Sequence, residues 1–471
     1  MIDASQIRSS FLEYMERNGH TRIPRASLVP NDPSTLFTGS GMQSLLPYLL
    51  GDTDPSGSRL VDSQPCLRAQ DIADVGDNRH TTFFEMLGNW SLGEYFKEQQ
   101  IRSFFEFLTE VVGLDPNRIY VTCFIGDEAA GIPRDDEAAA IWQEVFSARG
   151  IEANAVEIGS AAAGDQRGIR DGERIFFYDA DQNWWSRGGG LLETPIGDPC
   201  GPDSEVFYDF GPEHQDPAYG LAHPASDGGQ FLEIGNQVFM QYRRADDGQF
   251  VALERRNVDF GGGLERIAAA AQGVPDIYAV SVLAPLIQII EDLSGRRYVD
   301  DPKPMRIIAD HLRGAFFLAT DGVRPSNKAQ GYVMRRLLRR AISTARTIGL
   351  HDEFFAPIIA EIGFIYRDAF PEVEARGAEI LAALLHEEQA FRKTLEGGLR
   401  ALQRFQGRTI TGQDIFMLSD TFGFPREITI EEAGKRGIDI AAGWEVAFAV
   451  SLQVQQEKSR GASKLGAHDN T

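Results

Sequence analysis

The chain has 471 residues, of which 42% are hydrophobic and 24% charged, and its net charge is 46 − 69 = −23. These values are typical of a globular protein of two or three domains. They argue against indiscriminate binding to nucleic acid, so any RNA contact requires a local basic patch. No stretch of the sequence is apolar for long enough to span a membrane, and the charged N-terminus is unlike a signal peptide, so a cytoplasmic location is expected. The three cysteines, Cys66, Cys123 and Cys200, are far apart and predict neither a disulfide framework nor a zinc site.

The N-terminal half combines both kinds of secondary structure. Hydrophobic periodicity predicts helices over residues 5–18, 94–112 and 135–149 and strands over residues 118–125 and 230–242. Such a mixture indicates a sheet with helices packed on it.

A predicted hairpin holds the first candidate site. Two apolar-patterned runs, 59–69 and 81–87, flank a loop rich in Asp, Gly and Asn. Alternation places Arg68 and Phe84 on strand faces that look into the same space. Those faces are Gln64, Cys66 and Arg68 on one strand and Thr82, Phe84 and Met86 on the other. A guanidinium binds phosphate and an aromatic ring stacks on a base, which favours a nucleotide site. The alternative is a half-buried hairpin in which Arg68 is only a solvated edge charge.

A second candidate is the stretch NVDFGGGLERIAAA at residues 257–270, which predicts a strand end followed by a helix. Glycines allow close approach of the backbone to a ligand, and a helix N-terminus attracts an anion. A tight packing turn is the alternative. Arg266 lies in the predicted first helical turn, where a cation opposes the helix dipole, so a compensating partner such as a triphosphate is expected.

From residue 275 helical periodicity dominates, which places a domain boundary near Gly273. We expect a catalytic domain over 1–273, a helical domain over 274–457 and a polar tail over 458–471. One predicted helix of the second domain carries five arginines, Arg335, Arg336, Arg339, Arg340 and Arg346. They are either solvated or paired with carboxylates, or they contact an RNA backbone.

Several motifs, in order along the chain, resemble the alanyl-tRNA synthetase family of class II enzymes. They are FTGSGMQSLLPYLLG, RAQ followed by HTTFFEMLGNWSLGEYFK, PCGP, NQVFMQY, VDFGGGLERI, DGVRPSNKAQGYVMRRLLRRAI and LSDTFGFP. The resemblance implies an α+β fold, in which an antiparallel class II sheet flanked by helices precedes an all-α tRNA-recognition domain. It implies an alanine–tRNA ligase, in which alanine and ATP give alanyl-adenylate and the alanyl group then moves to the 3′ end of tRNA(Ala). Magnesium is expected with ATP, no zinc is expected, and no metal-ligating side chain is predicted.

The resemblance also implies roles for residues of the first domain. Arg68 is expected to hold the α-phosphate, Phe84 to stack on adenine, and Arg266 to pack on the other side of adenine and reach the γ-phosphate, so that both arginines are catalytic. Asp259 is expected to take the substrate ammonium. The other residues expected at ATP are His80, Met86 and Gly263, and those expected around the alanine side chain are Trp185, Asn236 and Val238.

In the second domain, Asn327 and Asp420 are implied to read the G·U wobble pair of the acceptor stem from the shallow minor groove. The basic residues expected to hold tRNA phosphates are Arg335, Arg336, Arg339 and Arg340. As an alternative, Asn327 caps a helix after Pro325.

Several positions depart from the family pattern. Phe260 and Gly262 replace the threonine and methionine of the usual VDTGMGLER, Gly235 replaces a tryptophan, and GDPCGP at residues 197–202 stands where TGPCGP is common. We expect all of them beside the alanine site, with an effect on its specificity.

The family normally continues into an editing domain and a C-terminal domain, which this sequence lacks, so mischarging is expected. A catalytic fragment, monomeric in this form, is favoured over a natural short form or half of a split enzyme. Two other functions stay open: a synthetase paralogue that binds RNA or an amino acid without charging tRNA, and an enzyme that activates an amino acid for another carrier.

Overall fold

The computed structural model describes residues 2–32, 35–52 and 56–465. The chain divides into two compact units, Met1–Gln288 and Ile289–Thr471. In the described residues, no helix combines the length and the apolar character needed to cross a membrane.

The first unit contains ten strands among its described residues. The strands are β1 (Thr21–Arg22), β2 (Arg59–Leu67), β3 (Phe83–Leu92), β4 (Ile119–Phe124), β5 (Asn154–Gly159), β6 (Glu173–Tyr178), β7 (Trp184–Trp185), β8 (Pro199–Asp209), β9 (Phe231–Arg244) and β10 (Phe250–Gly263). Its helices are α1 (Ala4–Arg17), α2 (Leu46–Leu49), α3 (Lys97–Glu106, continued by a π-helical turn), α4 (Asp136–Ser147), α5 (Ala161–Arg167), α6 (Ala180–Asn183) and α7 (Leu264–Gln272).

The strands form one mixed sheet in the order β1-β2-β3-β10-β9-β8-β4-β6-β5, and β7 pairs with β8. The central run from β2 to β4 is antiparallel, whereas parallel pairs close the two ends. The expected antiparallel sheet flanked by helices is therefore confirmed, with a parallel extension at each edge.

The predicted hairpin is present, and its two predicted faces coincide, because Cys66 lies opposite Phe84 and Gln64 opposite Met86. Its second strand is longer than predicted and runs on to Leu92.

The pleat gives the central sheet two distinct faces. On one, which we call the helix face, the buried ring of Phe260 packs against Phe11 of α1 and Phe104 of α3, with ring centroids 6.0 and 4.4 Å away. On the opposite face, which we call the ligand face, β10 presents Asp259, and the register places Val238 of β9 and Trp90 of β3 on either side of it.

The second unit is helical throughout its described residues. After α8 (Ala284–Ser294), which crosses the division between units, come α9 (Pro302–Thr320), α10 (Ala329–Ala345), α11 (Phe355–Tyr366), α12 (Glu372–Ala375), α13 (Gly377–Gln403), α14 (Gly412–Phe422), α15 (Arg426–Lys435) and α16 (Trp444–Leu465). The helix α16 covers the start of the predicted polar tail, and residues 466–471 lie outside the described residues.

Candidate active site

Arg68 follows β2 directly and stays exposed, and its guanidinium lies over the ring of Phe84 at 4.9 Å from the centroid. Its Nε donates to the carbonyl of Gly39 at 3.2 Å. The sequence prediction that this arginine and this ring share one space is confirmed. A planar cation held on an aromatic ring leaves its other N–H groups available for a phosphate.

Arg266 is the third residue of α7, as predicted, and its compensating partner is a carboxylate of the protein. Its Nη1 donates to Glu233 at 2.7 Å. Two more basic groups of the β2–β3 connection, Arg79 and His80, interact electrostatically with Arg266. Burial lowers the pKa of Arg79, and the positive charge of Arg266 adds to the effect, whereas the hydrogen bond to Asp77 raises the pKa of His80. Cations that repel each other in this way favour a polyanionic ligand.

Asp259 is 8% exposed, and the indole Nε1 of Trp90 donates to its Oδ1 at 2.7 Å. Burial raises the pKa of Asp259 to about 7, and the indole hydrogen bond opposes that rise. A second carboxylate of the ligand face, Asp62 on β2, is 2% exposed and its Oδ1 has no hydrogen-bond partner. Burial, followed by the charges of Asp259 and Glu85, raises the pKa of Asp62. This part of the face suits a cationic group.

The predicted wall of the alanine pocket lies beside Asp259. Val238 pairs with Asp259, and Asn236, two residues earlier on β9, shares its face. Val238 and Trp90 belong to one apolar cluster, and Trp185 packs against that cluster. The Nδ2 of Asn236 donates to Glu205 at 3.3 Å, whereas its Oδ1 is buried without a partner. The face thus combines an apolar wall, a carboxylate and a free amide oxygen.

Met86 and Gly263 pair across β3 and β10 on the same face. The sulfur of Met86 accepts from the backbone N–H of Gly41 at 3.4 Å. A Cβ on Gly261 would lie 2.8 Å from that sulfur, so this glycine is what allows the methionine to lie across β10.

The expectation that Gly235, Phe260 and Gly262 adjoin the alanine site is wrong. Alternation puts Phe260 and Gly262 on the helix face, one residue out of phase with Asp259. A Cβ on Gly235 would lie 2.7 Å from Phe104 and 3.1 Å from Phe260, and one on Gly262 would lie 3.0 Å from Phe260. The two glycines make room for the Phe260 ring in the core beneath the helices.

Two arginines predicted to bind tRNA, Arg335 and Arg339, share one carboxylate partner. Glu387 on α13 accepts from Arg335 at 3.2 Å and from Arg339 at 2.8 Å. Arg335 also donates to the side chain of Asn327, and Arg339 to the carbonyl of Gly423, just after α14.

Asp420 is exposed on α14, three residues before Gly423. The N-cap position of α10 is Lys328, so Asn327 is not its cap.

Two more arginines of α10 differ in their surroundings. Arg340 is buried and pairs with Glu431 at 2.8 Å. Arg336 is partly exposed, and its buried Nε has no partner. Three of the predicted phosphate-binding arginines, Arg335, Arg339 and Arg340, are therefore paired with carboxylates. Their contact with tRNA stays a prediction.

Comparison with known proteins identifies the family. Residues 6–470 match the family described as tRNA synthetases class II (A). An alanine–tRNA ligase of Treponema pallidum (strain Nichols) is 41% identical over 482 residues, which cover 98% of this chain and 73% of that protein. The alanine–tRNA ligase of Borrelia hermsii (strain HS1 / DAH) is 38% identical over 481 residues, which cover 99% of this chain and 75% of that protein.

The chain belongs to the alanine–tRNA ligase family. It is a class II aminoacyl-tRNA ligase. Among solved structures, a histidyl-tRNA synthetase of S. aureus is similar at a TM-score of 0.30 and 13% identity, over 57% of this chain and 66% of that one.

Sequence reasoning missed several residues of this site, among them Trp90, Arg79 and the acidic Asp62, Glu205 and Glu233. Trp90 carried a signal, since it falls in phase with Phe84 and Met86 on β3 and therefore on the ligand face. Arg79 carried none, because it lies in a connection without periodicity.

Proposed function

We propose that the chain activates alanine with ATP and transfers the alanyl group to the 3′ end of tRNA(Ala), selecting that tRNA by the G·U pair of its acceptor stem. The observation that carries the first step is the shared ligand face. There an exposed arginine on an aromatic ring and a buried carboxylate beside an apolar wall lie on neighbouring strands of one sheet.

In this proposal ATP lies along the β2–β3 hairpin. Adenine stacks on Phe84, and the guanidinium of Arg68, which lies over that ring in the free protein, moves off it to bind the α-phosphate. As the alanine carboxylate attacks, negative charge grows on the phosphorus oxygens, and a cation at that position stabilises that charge more in the transition state than in the ground state. Arg266 takes the γ-phosphate, with Arg79 and His80 beside it, and pyrophosphate leaves from that end.

Alanine lies over β9 and β10. Its ammonium binds Asp259, whose burial makes an unpaired charge costly and a cationic ligand correspondingly favourable. The methyl group contacts Val238 and Trp185, and the free Oδ1 of Asn236 accepts a second hydrogen bond from the ammonium. This arrangement orients the carboxylate towards the α-phosphate, which converts the reaction into an intramolecular one.

Magnesium would accompany the triphosphate. Mg²⁺ takes one or two carboxylates and phosphate oxygens. The fitting carboxylates are Glu205 and Glu233, because burial raises the pKa of Glu205 and the nearby charge of Glu233 raises it further, a repulsion that a cation relieves. The ion would neutralise phosphate charge.

For tRNA, we propose that Asn327 and Asp420 read the G·U pair. Arg335 holds the side chain of Asn327, and Arg339 bonds to the backbone just after α14, the helix of Asp420. The ion pairs of these arginines favour that positioning role over phosphate binding. Arg336 is partly exposed and, within the described residues, no ion pair joins it to a carboxylate, so it is the arginine of α10 best suited to a phosphate.

The experiment is charging of tRNA(Ala) transcripts with alanine, serine and glycine, with the G·U pair present or replaced by G·C. The proposal predicts charging with alanine that falls when the pair is replaced. If the protein is folded and no amino acid changes its rate of ATP–pyrophosphate exchange, the activation step is contradicted. Equal charging of the two transcripts would contradict the G·U assignment alone.

A further inference from the structure

The ligand face contains one buried aromatic residue whose polar atom is directed at the site. Trp90 is fully buried, and its Nε1 donates to Oδ1 of Asp259 at 2.7 Å. Within the described part of the chain, it is the one side-chain donor that Asp259 has. We propose that Trp90 is a positioning residue for amino-acid recognition: its indole holds Asp259 in the orientation and the ionised form that bind the substrate ammonium. This inference rests on the proposed function.

The backbone around Trp90 is shaped for this ring. A Cβ on Gly88 would lie 2.2 Å from the Cη2 of Trp90, and one on Gly41 would lie 2.7 Å from its Cζ2. Neither distance is possible for a real side chain, and the ring is the rigid end of a buried residue. The indole therefore lies flat in a slot between two glycines, which fixes the direction of its N–H.

The chemistry of the pair explains why a donor is needed there. A buried carboxylate tends to take up a proton, and a protonated Asp259 would not attract an ammonium group. An N–H donor favours the carboxylate form. The other titratable groups on this face of β2 and β8 are the acidic Asp62, Asp203 and Glu205, the thiol of Cys66 and, at the end of β2, the cation Arg68. Asp62 interacts electrostatically with Asp259, and its negative charge opposes ionisation of Asp259.

The first test is ATP–pyrophosphate exchange by Trp90→Phe, which keeps an aromatic ring and removes the donor. We expect the KM for alanine to rise roughly 10- to 100-fold, the effect of one hydrogen bond to a charged group, with the KM for ATP unchanged. Since the pKa of Asp259 should rise without its donor, the acid limb of kcat/KM for alanine should move to higher pH. The loss would then be larger at pH 6.5 than at pH 8.5.

The matched control is Trp142→Phe. Trp142 is also fully buried and donates from Nε1 to a side chain, the hydroxyl of Ser204 at 2.9 Å, but it lies on α4. This variant should have the alanine KM and pH profile of the unmodified protein. A wild-type alanine KM and pH profile in Trp90→Phe, or an equal change in Trp142→Phe, would overturn the proposal.

A double-mutant cycle tests the slot. Gly88→Ala should raise the alanine KM by displacing the indole, and it should have much less effect in the Trp90→Phe background, because phenylalanine lacks the Cζ2 and Cη2 atoms that the new methyl meets. The contact of that methyl with Oδ1 of Asp62, at 3.1 Å, is common to both backgrounds. Additive effects of the two substitutions would contradict the slot.

A further measurement is independent of catalysis. The indole ¹⁵N–¹H resonance that disappears in Trp90→Phe should titrate with a midpoint of about 7, the pKa to which burial raises Asp259, and should stop titrating in Asp259→Asn. A resonance that titrates in the same way in Asp259→Asn would overturn the link between the two residues. Absence of alanine-dependent exchange in the unmodified protein would instead contradict the proposed function.

Discussion

A carboxylate is buried on each face of the central sheet, and the two carboxylates differ in whether a cation of the protein is bound to them. On the helix face, Glu85 of β3 accepts from Arg8 of α1, with Nη2 to Oε2 at 2.6 Å, and from the hydroxyl of Ser63. On the ligand face, Asp259 of β10 has one neutral donor, Trp90, and its pKa is raised to about 7. A buried carboxylate paired with a guanidinium stabilises the fold, whereas one without a cation is poised for a cationic ligand.

The largest expected effect comes from the cation of the ligand face. Arg68→Ala should lower ATP–pyrophosphate exchange roughly 10²- to 10³-fold, the effect of losing one donor to a developing charge. The fold should be preserved, since Arg68 is exposed. The control is Arg59→Ala at the other end of β2, where Arg59 lies over the ring of Tyr95 at 5.1 Å. Exchange that falls equally in both variants would show that Arg68 acts only on the hairpin's structure.

Asp259→Asn should stabilise the protein at high pH. A carboxyl whose pKa is raised in the folded state binds its proton more tightly there, so stability falls as pH rises from the ordinary value of 3.8 through about 7. Above pH 7 the substitution removes a cost of roughly 4 kcal/mol at most. Thermal unfolding at pH 5 and pH 8 measures it: the variant's gain in stability over the unmodified protein should be larger at pH 8 than at pH 5. An equal difference in stability at both pH values would mean that ionisation of Asp259 does not destabilise the folded protein.

In the second unit, the side chain of Asn327 accepts a hydrogen bond from Arg335. A substitution there separates tRNA recognition from the chemistry of the ligand face. Asn327→Ala should leave exchange unchanged and lower charging of tRNA(Ala) roughly 10- to 100-fold, the effect of about 1–3 kcal/mol for one base pair read. The transcript in which G·C replaces G·U should be charged equally by both proteins. A loss of exchange in this variant would contradict the assignment of separate sites.

The smallest kinetic effect is expected on the helix face. Phe260→Leu should lower the free energy of unfolding by roughly 1–2 kcal/mol, because it leaves a gap beside Phe104 and the two glycines. The KM for alanine should stay within about twofold of the unmodified value, since the ring lies on the far side of the sheet. A large change in that KM would show that Phe260, which stands where the family pattern has threonine, affects amino-acid specificity.

Sequence alone predicted the hairpin and the closeness of Arg68 to Phe84, since strand alternation indicates which side chains share a face. The register, with Cys66 opposite Phe84, came from the structure. Alternation also predicts that Phe260, one residue from Asp259 on the same strand, lies on the opposite face. The comparison of motifs led to the wrong expectation, because residues that are adjacent in a motif were assumed to lie at the same site. The ion pairs of Arg335 and Arg339 with Glu387 join residues about fifty positions apart on different helices. No local pattern predicts such contacts.

The most direct test of the account is exchange by Asp259→Asn and Glu85→Gln, compared at equal folded fraction. Both substitutions remove one buried negative charge from neighbouring strands of the same sheet. Glu85→Gln should destabilise the protein by roughly 3–5 kcal/mol, because it leaves Arg8 unpaired, yet its folded molecules should show alanine-dependent exchange. Asp259→Asn should fold well and show none. Alanine-dependent exchange that survives in Asp259→Asn, or is lost equally in both, would contradict the assignment of the ligand face.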